Sequence, residues 1–471
     1  MPNDEMEYWQ EKRFDRLTQT GRQPFPIAYK VSPDQTSFMY VPDEFIVDRA
    51  FVPDLDVALA SADIVPPPDR EPDGHWLEGT GLLVYGYTGD PEELPALVAR
   101  LRQQAGSDRV SLHYVLSGEK LPTVPRGGPA TAPAIASALA PMSDWGDGVD
   151  APVVAVLDTG VFRGSQAERA QAAGGGHAVG FRGPGQAPND IDTLHAELPD
   201  GSTESTLACE AGHGSFIAAL IQRMAGGGIG IEAWKVLDAD GLGSEKHIVE
   251  ALRAIRERPG AKPKVINLSL GGFTDNAGWF DPAGDPELRA AYGERIDLMP
   301  LGLGAELARW SGDPLNQTVF VCAAGNDGQR RPFWPAAAAQ DVEDGDLADI
   351  VAVAALDRTM TPTEFSNSGP WVSVGTIGTD IVSDYPRGVF PVADGTILTF
   401  QDGAASWSGT SFAAPVVTAQ IAWLSAGTGR PPTSGRHGWA WLRSHLGPRD
   451  PMHGRVFDPR VFPPHHDPGQ P

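Results

Sequence analysis

The stretch APVVAVLD, residues 151–158, offers no charged or hydrogen-bonding side chain until it ends on Asp158. A strand with one wet face alternates apolar and polar residues, so a run without a polar face must be covered on both sides. Three more runs are nearly continuous in apolar residues and rich in Val and Ile: PKVINLSL (263–270), TVFVCAAG (318–325) and DIVAVAAL (349–356). Segments of helical character separate and follow them, namely HGSFIAALIQRMAG (213–226), SEKHIVEALRAIRE (244–257) and SFAAPVVTAQIAWLSA (411–426). In the first of these, Ile217, Leu220, Ile221 and Met224 recur at the spacing of one helix face. Strands buried on both faces, alternating with helices, predict an α/β fold with a parallel sheet flanked by helices.

Upstream the pattern is different. EFIVDRAFV (44–52), GLLVYGY (81–87) and RVSLHYVLS (109–117) are short strand-like segments around one helix, DPEELPALVARLRQQAG (90–106). Asp90 can cap that helix, Pro91 suits its first turn, Glu92 and Glu93 favour its positive end, and Gly106 can stop it. Residues 44–118 therefore form a smaller N-terminal α+β domain, preceded by an irregular segment (1–43). A linker rich in Pro, Ala and Gly (119–142) leads to the large domain (143–447) and a tail (448–471). No internal repeat is present.

The charge balance narrows the partners. Thirty-six Lys and Arg against 61 Asp and Glu give a net charge of −25, and no basic run breaks the excess. Nucleic acid is therefore not an expected partner. Cys209 and Cys322 allow at most one disulfide, which excludes a disulfide scaffold. The opening MPNDEMEYWQEKRFDR lacks the basic-then-apolar layout of a secretory leader, and no apolar run is long enough to span a membrane. A cytoplasmic protein without a membrane partner is the expectation; the oligomeric state is not legible.

In open α/β sheets ligands bind beyond the carboxyl ends of the strands. Asp158 ends one predicted strand, Ser269, Leu270 and Gly271 close another, and Asn326 follows a third. Taken singly, each has a plain reading as a turn residue, a cap or a buried helix start. Taken together, Asp158, His213, Asn326 and Ser411 supply every part that acyl transfer needs. Asp, then His, then Ser is also the subtilisin order.

The flanking residues carry a resemblance. VVAVLDTGV, GHGSFIAAL, KVLDADGLGS, VINLSLGG, VCAAGNDG, FSNSGPWV and SGTSFAAP, spread from about residue 143 to 425, resemble the segments that define the subtilisin-like serine proteases (subtilases). The resemblance implies the subtilisin-like form of the fold and a serine endopeptidase acting through an acyl-enzyme on a peptide or protein substrate. Asp158, His213 and Ser411 would be its triad, and Asn326 with the Ser411 N–H its oxyanion hole. Gly241, Leu242 and Gly243 on one side, and Ser269, Leu270 and Gly271 on the other, would pair with extended substrate. Residues 322–327, including Ala323 and Gly325, would border the pocket for the residue before the cut. Asp327 at that rim either favours a basic residue there or is a turn residue before Gly328.

No cofactor is required for this chemistry. Relatives commonly bind structural calcium, but DVEDGDLAD (341–349) fits no ligand spacing and reads as a solvated loop, so no metal site is assigned. Cys209, four residues before His213, reads as a small buried residue. Two departures stand out: the family's usual second His after the catalytic one is replaced by Phe216, and the usual Met after the nucleophile by Phe412. Pro415 is expected in the first turn of the Ser411 helix, where a missing N–H costs little. The N-terminal domain is either a propeptide released by a cut within 119–142 or a permanent regulatory module. The reading from another class is a catalytically silent relative that binds peptides or partners.

Overall fold

The computed structural model describes residues 26–31, 37–60, 63–66, 76–105, 109–118, 129–131, 152–162, 165, 193–197, 203–208, 210–226, 228–238, 240–274, 299–339, 349–391, 397–426 and 433–461. The described residues divide into two compact units. One comprises Met1–Leu116, Leu242–Arg258 and Gly272–Asn316, and the other Ser117–Gly241, Pro259–Gly271 and Gln317–Pro471.

The second unit is built on a parallel sheet. Its strand order is Gly230–Lys235, Val153–Asp158, Val265–Leu268, Val319–Ala323, Ile350–Leu356, Val374–Ile377 and Arg455–Val456, each pair parallel. The four runs read from sequence are its adjacent central strands, buried almost throughout. Helix Thr410–Leu424 packs on those strands and against helix His213–Met224. Every residue from Thr410 to Ala422 is buried, as expected of a helix that is apolar all round. The sheet extends past residue 447: Arg455–Val456 pairs with Val374–Gly375 and Phe457 is fully buried. Beside it, Ile381–Asp384, Ala404–Trp407 and Ala130–Thr131 form an antiparallel sheet.

The first unit holds an antiparallel sheet ordered Leu242–Ser244, Val110–Ser117, Ser37–Asp48, Leu82–Tyr87 and Ile64–Val65, with Ala28–Val31 also paired to Ser37–Asp48. Strand structure thus begins before residue 44, inside the segment expected to be irregular. The reason lies in SFMYVPDEFIVD, where Pro42 interrupts the ladder and the pairing shifts register between Tyr40 and Phe45. A bulge breaks the period of two that reveals a strand. The expected helix is present as a 3-10 turn, Pro91–Glu93, followed by Leu94–Ala105, and Asp90 caps it by accepting from Glu92 N at 3.0 Å. Gly106 lies outside the described residues.

Helix Leu301–Ser311 of this unit starts at Pro300, which has no side-chain cap. Glu245 supplies one from the neighbouring helix Glu245–Glu257, its Oε1 accepting from Leu303 N at 2.8 Å. Its other oxygen is buried without a hydrogen-bond partner among the described residues. Burial is the largest influence on this carboxyl and pushes its pKa from 4.5 up to about 7, against the nearby His113 and three backbone N–H groups. Around it, His113 pairs with Glu44 and stacks on Trp76, and its Nε2 accepts from Lys246 N at 3.4 Å. Burial, then the charges of His113 and Lys246, lowers His247 to about 4.

A carboxyl whose folded pKa is raised stabilises the fold below its unfolded pKa and loses that contribution as pH rises through the folded value. For Glu245 the loss runs from about 4.5 to above 7 and is on the order of 3 kcal/mol. His247 works the other way, its contribution present above 6.5 and lost as pH falls through about 4. Glu245→Gln keeps an acceptor for Leu303 N and removes the titration. Denaturant unfolding at pH 5 and pH 8 should show the variant losing less stability between the two than the wild type. An unchanged pH dependence would exclude the assignment.

Candidate active site

Three strand ends and two helix starts of the second unit bring the polar groups together. Asp158 closes Val153–Asp158, and His213 opens helix His213–Met224. The turn into that helix needs Gly212, whose φ of +84° lies in the left-handed region. Gly214 then lies so close to the preceding loop that a Cβ on it would be 2.4 Å from the Gly160 carbonyl oxygen. His213 Nδ1 donates to Asp158 Oδ1 at 2.8 Å, and both side chains are fully buried. Thr159 N donates to the same oxygen at 2.8 Å. The donated Nδ1 proton leaves Nε2 as the acceptor nitrogen of the neutral ring. Among the described residues Nε2 has no hydrogen-bond partner.

Ser411 is the second residue of its helix, so its N–H has no acceptor within the helix. Pro415 is the sixth residue, not part of the first turn as expected. An interior proline removes the N–H that would bond the carbonyl four residues back, here that of Ser411. Ser269 Oγ donates to the Ser411 carbonyl at 2.9 Å and takes that place. Asn267, one strand position before Leu268, joins the same network by donating to Thr418 Oγ1 at 3.0 Å.

Asn326 is oriented by Thr410. Thr410 donates to Asn326 Oδ1 twice, from its N–H at 2.8 Å and its hydroxyl at 3.0 Å. The same hydroxyl accepts from Gly325 N at 3.0 Å. With Oδ1 held on the Thr410 side, the planar amide carries its donor nitrogen on the opposite side. A threonine beside a candidate nucleophile is the signal that was available for this.

The two departures from the family pattern meet. The rings of Phe216 and Phe412 lie 4.7 Å apart, centroid to centroid, and Trp407 lies 5.0 Å from Phe412. Trp407 and Phe412 each contact the His213 ring edge-on at 5.4 Å. An aromatic cluster thus backs the imidazole, a role for Trp407 that the sequence did not suggest.

Residues expected to pair with substrate are engaged by the chain itself. Ser117 and Gly271 exchange both backbone hydrogen bonds, at 2.9 and 2.8 Å, and Gly118 N donates to the Gly241 carbonyl at 2.9 Å. Ser411 Oγ lies 3.3 Å from the carbonyl oxygens of both Gly118 and Ser269. A Cβ on Gly118 would be 3.2 Å from Leu237 and 3.6 Å from the His213 ring. Leu242 and Gly243 belong to the first unit, in the strand beside Val110–Ser117. Leu270 is buried. Ala323 ends its strand, and Gly325 is held by the Thr410 and Asn367 bonds.

Among the described residues no group of three or more His, Cys, Asp or Glu is placed to hold a metal. No helix among them is long and apolar enough to cross a membrane. Cys322 is a free, buried thiol whose pKa burial pushes well up, and Cys209 lies outside the described residues.

Comparison with known proteins bears on residues 150–432, which match the family described as the Subtilase family. Among curated proteins, Subtilisin-like protease 2 of Pseudogymnoascus destructans is 27% identical over 221 residues, 46% of this chain and 42% of that protein. Mycosin-4 of Mycobacterium tuberculosis is 29% identical over 285 residues, 58% of this chain and 55% of that one. The chain thus spans about half the length of these relatives. Among solved structures, a cold adapted subtilisin-like serine proteinase aligns with a TM-score of 0.39 at 18% identity, covering 64% of this chain and 87% of the other. A lanthipeptide protease aligns with a TM-score of 0.41 at 21% identity, covering 64% and 84%.

Burial by itself would lower the His213 pKa. The Asp158 charge and hydrogen bond, with Glu210 adding to them, outweigh burial and raise it above 6.5. Asp158→Asn removes the main opposing influence and leaves burial opposed by Glu210 alone. Titration of the His213 ring by NMR should give a value above 6.5 in the wild type and one below it in the variant. Equal values in the two would exclude Asp158 as the cause.

Proposed function

We propose that this chain, which belongs to the subtilase family, is a serine endopeptidase working through an acyl-enzyme on peptide or protein substrates. The observation that carries the reading is the state of the imidazole. Nδ1 is committed to Asp158, and Nε2 is left to accept a proton. In the proposed cycle Ser411 Oγ attacks the substrate carbonyl carbon while His213 Nε2 takes the hydroxyl proton. The imidazolium, held by Asp158, then donates that proton to the departing amine, and water repeats the sequence to release the acid. The carbonyl oxygen, negative in the tetrahedral intermediate, would be held by the Asn326 amide and the Ser411 N–H.

The segment Ser117–Gly118 occupies the strand position proposed for substrate and blocks it. On this reading Ser117–Gly118 is an internal inhibitor of the site. Backbone bonds to Gly271 and Gly241 hold the segment, and Gly118 lies beside Leu237 and the His213 ring, where a side chain larger than a methyl would crowd them.

A fluorophosphonate should label the wild type and leave Ser411→Ala unlabelled, the mass of the adduct reporting the site. Gly118→Val places branched carbons against Leu237 and His213, so labelling of the full chain should be several-fold faster than in the wild type. Absence of any label on both would favour the silent, peptide-binding relative. Thr410→Val leaves Asn326 one donor short and Gly325 N without its acceptor. Turnover per labelled site should fall about ten- to a hundredfold, less than the loss of an oxyanion donor itself. Finally, His213 must be neutral to accept the proton, and its pKa is raised. Activity should therefore already decline with falling pH above 6.5, and a flat profile between pH 5 and 9 would exclude His213 as the base.

A further inference from the structure

Gly271 follows the strand Val265–Leu268 and Gly325 follows its neighbour Val319–Ala323. The space between these two strand ends is taken by one side chain. A Cβ built on Gly271 would be 2.2 Å from Phe333 Cε1, and one built on Gly325 would be 3.0 Å from Phe333 Cγ and Cδ2. The ring therefore lies against both glycines; the Trp334 carbonyl at Gly271, and the Asn367 amide with a φ of +95° at Gly325, also exclude a side chain. Phe333 is only 7% exposed. Its carbonyl accepts from Ala337 N at 2.8 Å, and the turn Ala336–Ala338 that follows is buried against Val319–Ala323 and Ile350–Leu356. The ring is thus fixed by its backbone as well as by its neighbours.

An extended substrate in the place of Ser117–Gly118 alternates its side chains between two faces. The position of Gly118 faces Leu237 and His213. The residue after it in such a substrate faces the other way, over the crevice between Ser269–Gly271 and Ala323–Gly325. We propose that Phe333, by filling this crevice, is a specificity-determining residue that limits the substrate residue on the acyl side of the cut to glycine, alanine or serine. The inference rests on the protease reading above. It also leaves a long basic side chain no room to descend past Asp327, so the preference that Asp327 suggested in sequence is not expected.

The test uses the full-length chain and a set of peptides varied only at the residue before the cut, with rates divided by the amount of fluorophosphonate-labelled Ser411. The wild type should cleave the Gly and Ala peptides at least tenfold faster, by kcat/KM, than the Phe and Leu peptides. Phe333→Gly should raise kcat/KM for the Phe and Leu peptides at least tenfold, with the Ala peptide changed much less. Phe333→Leu, a gentler change to the packing, should shift the same ratio in the same direction by a smaller factor. A ring serving only as core packing would instead lower all rates and the Tm together and leave the ratio where it was. Labelled wild type that cleaves the Phe and Leu peptides as fast as the Ala peptide would overturn the inference and leave the protease reading intact. Neither labelling nor cleavage would overturn both.

Discussion

The site depends on burying helix Thr410–Leu424 from its first residue to Ala422. A helix start normally leaves four N–H groups for water or side chains to satisfy, and here the first thirteen residues are buried. The polar groups at that start must be met by the ends of the strands beneath. Ser269 meets the carbonyl that Pro415 cannot, Asn326 meets the Thr410 N–H, and Thr410 in turn meets the N–H of Gly325. Each bond satisfies a buried group and also fixes a candidate site residue. An unpaired buried polar group costs more than a made bond gains, so the same requirement that stabilises the fold aligns the site.

The aromatic cluster behind His213 follows a similar logic of mutual adjustment. Phe216 and Phe412 each depart from the family pattern, and they pack on one another. Together with Trp407 they fill one volume. The imidazole is then gripped from two directions: Asp158 fixes its ring nitrogen, and the edge-on contacts of Trp407 and Phe412 fix its plane. Two substitutions that look independent along the chain are one packing solution in space.

What was legible in the sequence follows from the range of the interactions involved. The central strands announced themselves because burial on both faces removes polar residues locally, and Asp158, Asn326 and Ser411 stood at their ends or at a helix start. The first unit's sheet was legible only from Glu44 onward, because Pro42 and the register shift beside it erase the alternation. Arg455–Val456 was too short to show a period at all. Thr410, Trp407 and Phe333 stayed hidden for a different reason. Their roles depend on contacts with residues 84, 194 and 62 positions away, respectively Asn326, His213 and Gly271, and no local pattern carries such a contact.

The chain's own Ser117–Gly118 shows what kind of selectivity the proposed cleft can have. It is held by backbone groups of Gly271 and Gly241, and main-chain pairing of this kind accepts any sequence that can extend. Being tethered, the segment also needs little intrinsic affinity, because its effective concentration at the site is high. A free substrate has no such advantage and must be selected through its side chains. On the proposed reading one face of its strand would meet Leu237 and His213 and the other Phe333, and both faces are crowded. Discrimination in such a cleft comes from exclusion by size, which a crowded apolar wall enforces more sharply than an open apolar pocket rewards a fit. The walls that would make the site selective are therefore the same ones that let a glycine of the chain itself lie across it.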